Sequence, residues 1–351
     1  MAAPALEEKR RVLIVDDSRT IRALLRMTLD ADPRLQVVGE AGDPYEAREL
    51  IKTLEPDVIT LDVEMPKMSG LEFLERLMRL RPMPVVMVST RTKERSEDAV
   101  RALSIGAIEC VDVARIQADP MQRVKLAEAL YNASLASVKP RTEKPRIVAP
   151  VETRAPFRWN GKTVLIGSST GGVDALERVL AEFPADCPPT VIAQHMPMSF
   201  LASFAKRLNE NFAPTVRIAE DNAELRQGEV VIGPGGSHHV VLDRRKIGRT
   251  RLEASVETDL YVPSVDNLFG SALPHAPQCV AVVLTGMGSD GANPMVALRE
   301  AGAMTLGQRG DTCVVDGMPR AARALGAIAE SVALDDMGQA ILRHTSKDRP
   351  R

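Results

Sequence analysis

The chain has 351 residues, 44% of them hydrophobic and 26% charged, a globular mix long enough for about two domains. A net charge of −2 excludes a generally basic nucleic-acid binder, which needs clustered Lys and Arg to displace counterions from phosphates. Aromatic residues, at 3%, are too few for a base-stacking surface.

Cys110, Cys187, Cys279 and Cys313 lie far apart with no C-x-x-C pair, so neither a zinc ribbon nor a disulfide framework is expected. Residues 1–11 carry charge and no apolar signal-peptide core, and no apolar run approaches the roughly 18 residues of a membrane span. The expectation is a cytoplasmic protein with no membrane insertion.

From Arg11 onward, short apolar runs alternate with amphipathic segments. Val12–Val15 precedes a helical pattern from Arg19 to Asp30, and Val37-Val38 precedes Tyr45–Leu54. Val58–Leu61 leads to Leu71–Leu80, Val85–Val88 to Glu94–Ile105, and a weak strand at Cys110–Val113 to a last helix from Pro120. Five βα units of this kind predict a flavodoxin-like (βα)5 domain with a parallel sheet covered on both faces.

Between the two halves, Pro140, Pro145, Pro150 and Pro156 are interleaved with Lys139, Arg141, Lys144, Arg146, Arg154 and Arg158. Proline at this density prevents helix and favours an extended spacer, and the charge reads as a solvated linker. A second α/β series follows: Thr163–Ile166 as strand, Asp174–Phe183 as helix, Thr190–Ala193 as strand and Ser199–Asn209 as helix. Val230–Ile232, a glycine-rich turn and His239–Leu242 predict a hairpin, with Arg251–Val256 a further strand. Val280–Leu284 is the most apolar strand, and helix Pro294–Glu300 follows its loop. The predicted architecture is thus α/β in two domains, the second a doubly wound, mainly parallel sheet with a β-hairpin. The expected divisions are residues 10–130, a linker at 131–160, and residues 161–346.

Asp16 and Asp17 follow the first strand and Asp62 follows the third. Open parallel sheets gather such strand ends at a switch point, so the three carboxylates converge in one crevice. Adjacent anions repel unless a hard cation such as Mg²⁺ offsets them, after which one carboxylate can accept a phosphoryl group. Ser89, ending the fourth strand, is placed to donate a hydrogen bond to that group. An isolated aspartate at a strand end more often caps a helix, but three strand tips together favour a phosphoacceptor.

Val12-Leu-Ile-Val-Asp-Asp-Ser18, Leu61-Asp-Val-Glu-Met-Pro66, Ser69-Gly70, Val88-Ser89 and Gly106-Ala107 together resemble a response-regulator receiver domain. The resemblance implies that Asp62 is phosphorylated, that Asp16, Asp17, Asp62 and the backbone carbonyl of Glu64 hold Mg²⁺, and that Ser89 is the switch hydroxyl. It implies a histidine kinase as phosphodonor. The family pattern is broken at one place, because the usual Lys-Pro pair is replaced by Val113-Ala114. An apolar side chain cannot supply the lysine's charge, so coupling from phosphorylation to shape change stays open, with Lys93 a candidate substitute.

In the second half, Gly167-Ser-Ser-Thr-Gly-Gly172 sits at a strand-to-helix turn. It lacks the spacing and the lysine of a phosphate loop, whereas a serine on such a turn suits acyl transfer. His195 also lies at a strand tip, and Asp290 lies in the loop after the most apolar strand. Each alone has an ordinary structural role. Together they predict a Ser-His-Asp arrangement. His238 and His239, adjacent on one strand, read as structural or rim residues.

Gly167–Gly172, Gln194-His-Met-Pro197, Pro234-Gly-Gly236, Pro263-Ser-Val-Asp266, Leu284-Thr-Gly-Met-Gly288, Asp290-Gly-Ala292 and Gly317-Met-Pro319 occur in one order. With a receiver in front, this set resembles the chemotaxis-specific protein-glutamate methylesterases. The resemblance implies Ser169 rather than Ser168 as nucleophile, His195 as base, Asp290 as its orienter, and the N–H groups of Thr170 and Met287 as oxyanion donors. It implies hydrolysis of glutamate methyl esters on methyl-accepting chemotaxis receptors, deamidation of receptor glutamines, and no cofactor in the catalytic half. Two alternatives remain: a non-catalytic binding module, and an esterase freed from phosphorylation control by Val113.

Overall fold

Strands buried on both faces need continuous apolar runs, and the computed structural model places such runs at the centre of two separate sheets. It describes residues 8–89, 93–113, 116, 120–136, 138 and 156–348, in one unit up to residue 142 and another from residue 143.

The first unit runs β1 (Arg10–Val15), α1 (Arg19–Asp30), β2 (Leu35–Ala41), α2 (Pro44–Leu54), β3 (Val58–Asp62), α3 (Gly70–Leu80), β4 (Val85–Ser89), α4 (Lys93–Ile105), β5 (Glu109–Asp112) and α5 (Pro120–Ser134). Every strand pair is parallel, in the order β2-β1-β3-β4-β5. The order reverses between β1 and β3, where the register sets Val15 beside Leu61. Asp16 and Asp62 come next on each strand, so the switch-point crevice is where the acids meet. Side-chain caps fix the helix starts, with Ser18 accepting from Ile21 N–H, Asp43 from Tyr45 and Glu46, and Ser69 from Glu72. Lys93 opens α4 rather than lying in the loop before it, and its side chain is outside the described residues.

The second unit runs β6 (Thr163–Ser168), α6 (Gly172–Ala181), β7 (Thr190–Gln194), α7 (Met198–Asn211), β8 (Thr215–Ile218), β9 (Glu229–Ile232), β10 (His238–Leu242), β11 (Thr250–Ala254), α8 (Val265–Ser271), β12 (Cys279–Val283), α9 (Ala292–Glu300), β13 (Met304–Gln308), α10 (Met318–Ala324), β14 (Glu330–Val332) and α11 (Leu334–Thr345). Seven strands form a parallel sheet ordered β14-β13-β12-β6-β7-β9-β8. The order reverses between β6 and β12, again a switch point.

The hairpin differs from expectation. Val230–Ile232 belongs to β9, which pairs in parallel with β7 and β8, while β10 pairs antiparallel with β11 in a sheet of its own. The reason is the intervening turn, where Gly235 and Gly236 both take positive φ and swing the chain out of the main sheet. The linker also ends earlier than its proline content suggests. Trp159 bridges Ser346, and Phe157 N–H donates to Asp186 at 2.7 Å, so 156–160 fold with the second unit. Of the proposed linker at 131–160, residues 131–134 close α5, and most of the remainder lies outside the described residues. Among the described residues, no helix is long and apolar enough to cross a membrane.

Candidate functional site

Two strands of the second unit carry the central pair of residues side by side. The register Ser168↔Gln194 between β6 and β7 makes Ser169 and His195 the next residues on neighbouring strands, and His195 N–H donates to Ser168 O at 3.0 Å. On the other side of β6, Ser169 N–H donates to Thr285 O at 3.1 Å, tying it to the loop after β12. That loop delivers Asp290, whose Oδ2 lies 2.7 Å from His195 Nε2.

The environment of Asp290 is built to hold a charge. It is 9% exposed and accepts from Val265 N–H at 2.7 Å, Asp266 N–H at 2.9 Å and Ser264 Oγ–H at 3.2 Å. Burial opposes ionisation, but the His195 hydrogen bond and charge, with the two N–H groups, hold the carboxyl below its ordinary range. An ionised Asp290 accepts a hydrogen bond from Nε2–H, and the neutral His195 ring in that tautomer keeps its lone pair on Nδ1. Nδ1 is buried and has no hydrogen-bond partner among the described residues, Ser169 Oγ included. The Tyr261 ring stacks on the imidazole, with centroids 4.2 Å apart and planes 3° from parallel.

Ser168 and Ser169 are separated by burial. Ser168 is fully buried and its hydroxyl donates to Gln194 Oε1 at 2.6 Å, whereas Ser169 is half-buried. Gln194 Nε2 in turn donates to the carbonyls of Ser169 and His195, at 2.9 and 3.1 Å. The N–H groups of Thr170 and Met287 carry no hydrogen bond among the described residues. Thr170 adjoins Ser169, and Met287 follows Gly286, where a Cβ would meet Ser169 Cβ at 2.7 Å and its N at 3.0 Å. The glycine-rich loop therefore serves close backbone approach to the serine. His239 is buried and His238 exposed, as alternation on one strand requires. The four thiols are buried, and burial pushes those of Cys187, Cys279 and Cys313 up to about 12, so none is a nucleophile at neutral pH.

In the first unit, ligand oxygens of Asp16, Asp17 and Asp62 all lie within 4.8 Å of one another. They line a cavity with Glu64 and Val113. Burial is the chief reason that the Asp62 carboxyl is pushed up to about 7, with Asp16 repulsion adding to it, while Glu64 and Val63 N–H groups pull the other way. Burial likewise raises Asp16 to about 6, against a hydrogen bond from Ser18 N–H. Crowded carboxylates that resist ionising, with an all-oxygen donor set, fit a hard divalent cation. Among the described residues the lining contains no lysine or arginine, and Val113 is buried within it. Ser89 closes β4 one residue beyond the Asp62↔Val88 pair, and its side chain lies outside the described residues.

Sequence reasoning did not find Tyr261, Gln194 or Ser264 as parts of the site. Gln194 and Ser264 lie inside the motifs Gln194–Pro197 and Pro263–Asp266, and Tyr261, one of three tyrosines in the chain, stands just ahead of the second.

A family model described as CheB methylesterase matches residues 164–341, and one described as response regulator receiver domain matches 12–113. A protein-glutamate methylesterase/protein-glutamine glutaminase of Caulobacter vibrioides is 49% identical over 97% of this chain and 99% of its own length. One of Agrobacterium fabrum is 47% identical over 96% of this chain and 97% of its own. The Thermotoga maritima CheB methylesterase catalytic domain superposes with a TM-score of 0.50 at 32% identity, covering 53% of this chain and all of that structure. With a receiver domain followed by a methylesterase domain, this chain belongs to the protein-glutamate methylesterase/protein-glutamine glutaminase family.

Proposed function

We propose that the chain hydrolyses glutamate methyl esters and deamidates glutamines on chemotaxis receptors, with Ser169 as nucleophile, His195 as base and Asp290 as its orienter. The observation that carries this assignment is the buried His195–Asp290 pair, whose Nδ1 is left for the neighbouring strand tip that bears Ser169. Ser169 Oγ attacks the ester carbonyl as Nδ1 takes its proton. The tetrahedral oxyanion is met by the N–H groups of Thr170 and Met287. Nδ1–H then protonates the departing methoxide, which leaves as methanol, and a water deprotonated by His195 opens the acyl-enzyme to free glutamate. With glutamine the same steps release ammonia.

The receiver regulates this activity through Asp62, phosphorylated by a chemotaxis histidine kinase. Asp16, Asp17 and Asp62, with the Glu64 carbonyl, would hold Mg²⁺, which supplies charge neutralisation around the phosphoryl group. Ser89 is the proposed switch hydroxyl. Val113 in the acidic lining favours a second reading, an esterase not controlled by phosphorylation.

Methanol release from methylated receptor membranes, measured with and without a small phosphodonor and Mg²⁺, tests both. Release that rises with phosphodonor and vanishes in Ser169→Ala supports the first reading. Release that ignores phosphodonor selects the second, and release that persists in Ser169→Ala overturns the catalytic assignment.

A further inference from the structure

We propose that a second histidine–aspartate pair, His239 with Asp259, pins the loop 256–264 so that Tyr261 stays against His195 and Ser264 against Asp290. His239 is then a positioning residue of the esterase, a conclusion that rests on the catalytic reading above.

Both nitrogens of the His239 ring are engaged, and both hold the same loop. Nδ1 accepts from Ser264 N–H at 3.0 Å, which sets the Nε2–H tautomer, and Nε2–H donates to Asp259 Oδ2 at 2.9 Å. The ring is 1% exposed, on β10, whose neighbours Val240, Val241 and Leu242 are also buried. It is therefore a rigid post. Asp259 Oδ2 also accepts from Val256 N–H at 2.7 Å, closing the loop on itself.

The loop needs such a post. Val256 is 62% exposed and Leu260 79%, so apolar burial does not hold it at those positions. Between its anchors, at Asp259 and Ser264, lies Tyr261, whose ring covers one face of His195 at 4.2 Å. Past the second anchor, Ser264 Oγ donates to Asp290 Oδ1 at 3.2 Å. One buried imidazole thus sets both the wall that fixes the His195 ring plane and a brace on its carboxylate partner. Misplacing either alters the direction of Nδ1 toward the serine hydroxyl, and errors of about 1 Å in such geometry cost on the order of a hundredfold in rate.

The full-length protein and a small activated ester, p-nitrophenyl acetate, make the test. His239→Leu removes both anchors. His239→Gln keeps reach toward Asp259, and His239→Asn keeps an acceptor near Ser264. In His239→Leu, kcat should fall about ten- to a hundredfold with KM nearly unchanged, and the Gln and Asn variants should fall less. Tyr261→Leu should match His239→Leu, and Tyr261→Phe, which keeps the ring, should recover most of the rate. The double variant His239→Leu/Tyr261→Leu should be little worse than either single one, because both changes disable one unit.

Native kcat in a folded His239→Leu, or losses that multiply in the double variant, would overturn the proposal. If His239→Leu does not fold by circular dichroism, His239→Gln paired with Tyr261→Leu gives the same cycle. Activity surviving Ser169→Ala would instead overturn the catalytic reading itself, so the two failures are distinguishable.

Discussion

His195 meets Asp290 through Nε2, at 2.7 Å, and leaves Nδ1 buried with no hydrogen-bond partner among the described residues. In the familiar serine-protease arrangement the two nitrogens have the opposite assignment. What matters chemically is that the carboxylate holds one proton on the ring and leaves the other nitrogen basic. The β6–β7 register brings the backbone of His195 beside that of Ser169.

Asp290→Asn exposes the dependence. The amide can donate to Nε2, which drives the proton to Nδ1 and removes the base. By analogy with that template, kcat should fall roughly a thousand- to ten-thousandfold while KM for p-nitrophenyl acetate hardly changes. Steady-state kinetics beside a thermal melt of the same sample check it. A loss of less than about tenfold would show that Asp290 does not set the tautomer.

Adjacent serines should respond very differently. Ser168→Ala removes one buried hydroxyl that donates to Gln194, and should cost stability of about 1 kcal/mol with kcat reduced only a fewfold. Ser169→Ala should remove turnover and all labelling by an organophosphonate. Mass spectrometry of the labelled peptide separates the two, and label on Ser168 would reverse the assignment.

Acidity in the first unit has a definite sign. Asp16 and Asp62 carry folded-state values of about 6 and about 7, both above the ordinary 3.8. Between those limits the folded unit binds more protons than the unfolded chain, so stability without metal falls as pH rises from about 4 to about 7 and then levels. Mg²⁺ should restore stability above pH 7, release protons on binding, and bind more weakly as pH drops through the same window. Asp62→Asn should raise the metal-free melting temperature at pH 7.5 while abolishing phosphoryl acceptance. A melting temperature independent of pH and Mg²⁺ would contradict the crowding of these carboxylates.

Val113→Lys would place an ammonium in a lining that has no lysine or arginine among the described residues. It should lower the Asp62 carboxyl toward its ordinary value and tighten the binding of beryllofluoride, a phosphoryl mimic, with Mg²⁺ present. Calorimetric titration measures the change. Affinity equal to that of the native chain would mean another group already supplies the charge.

Much of this arrangement was legible because it depends on strand ends. Val12–Val15, Val58–Leu61, Thr163–Ile166 and Val280–Val283 are apolar runs broken by no residue more polar than threonine, and the residues just past them had to gather where the sheet order reverses. Pairing was harder. The glycine-rich turn after Ile232 looks like a hairpin, yet β9 finds both partners through long-range parallel pairing, which local spacing cannot reveal. Strands β8, β13 and β14 are short and half polar, and left no comparable apolar run. Tyr261 and Ser264 act through contacts with residues far away in the chain, so the motif around Ser264 did not reveal their part in the site. The choice of imidazole nitrogen is likewise set by tertiary contacts.

The bridge between Trp159 and Ser346 has a mechanical consequence. Asn160 N–H donates to Thr345 O at 2.9 Å and Lys347 N–H to Arg158 O at 2.7 Å, so both ends of the second unit are fastened to each other. A tether pulled at residue 156 meets this clasp before it meets the sheet. A change of length in the proline-rich segment at 139–155 therefore stops at the clasp and does not reach the strand tips of β6 and β7.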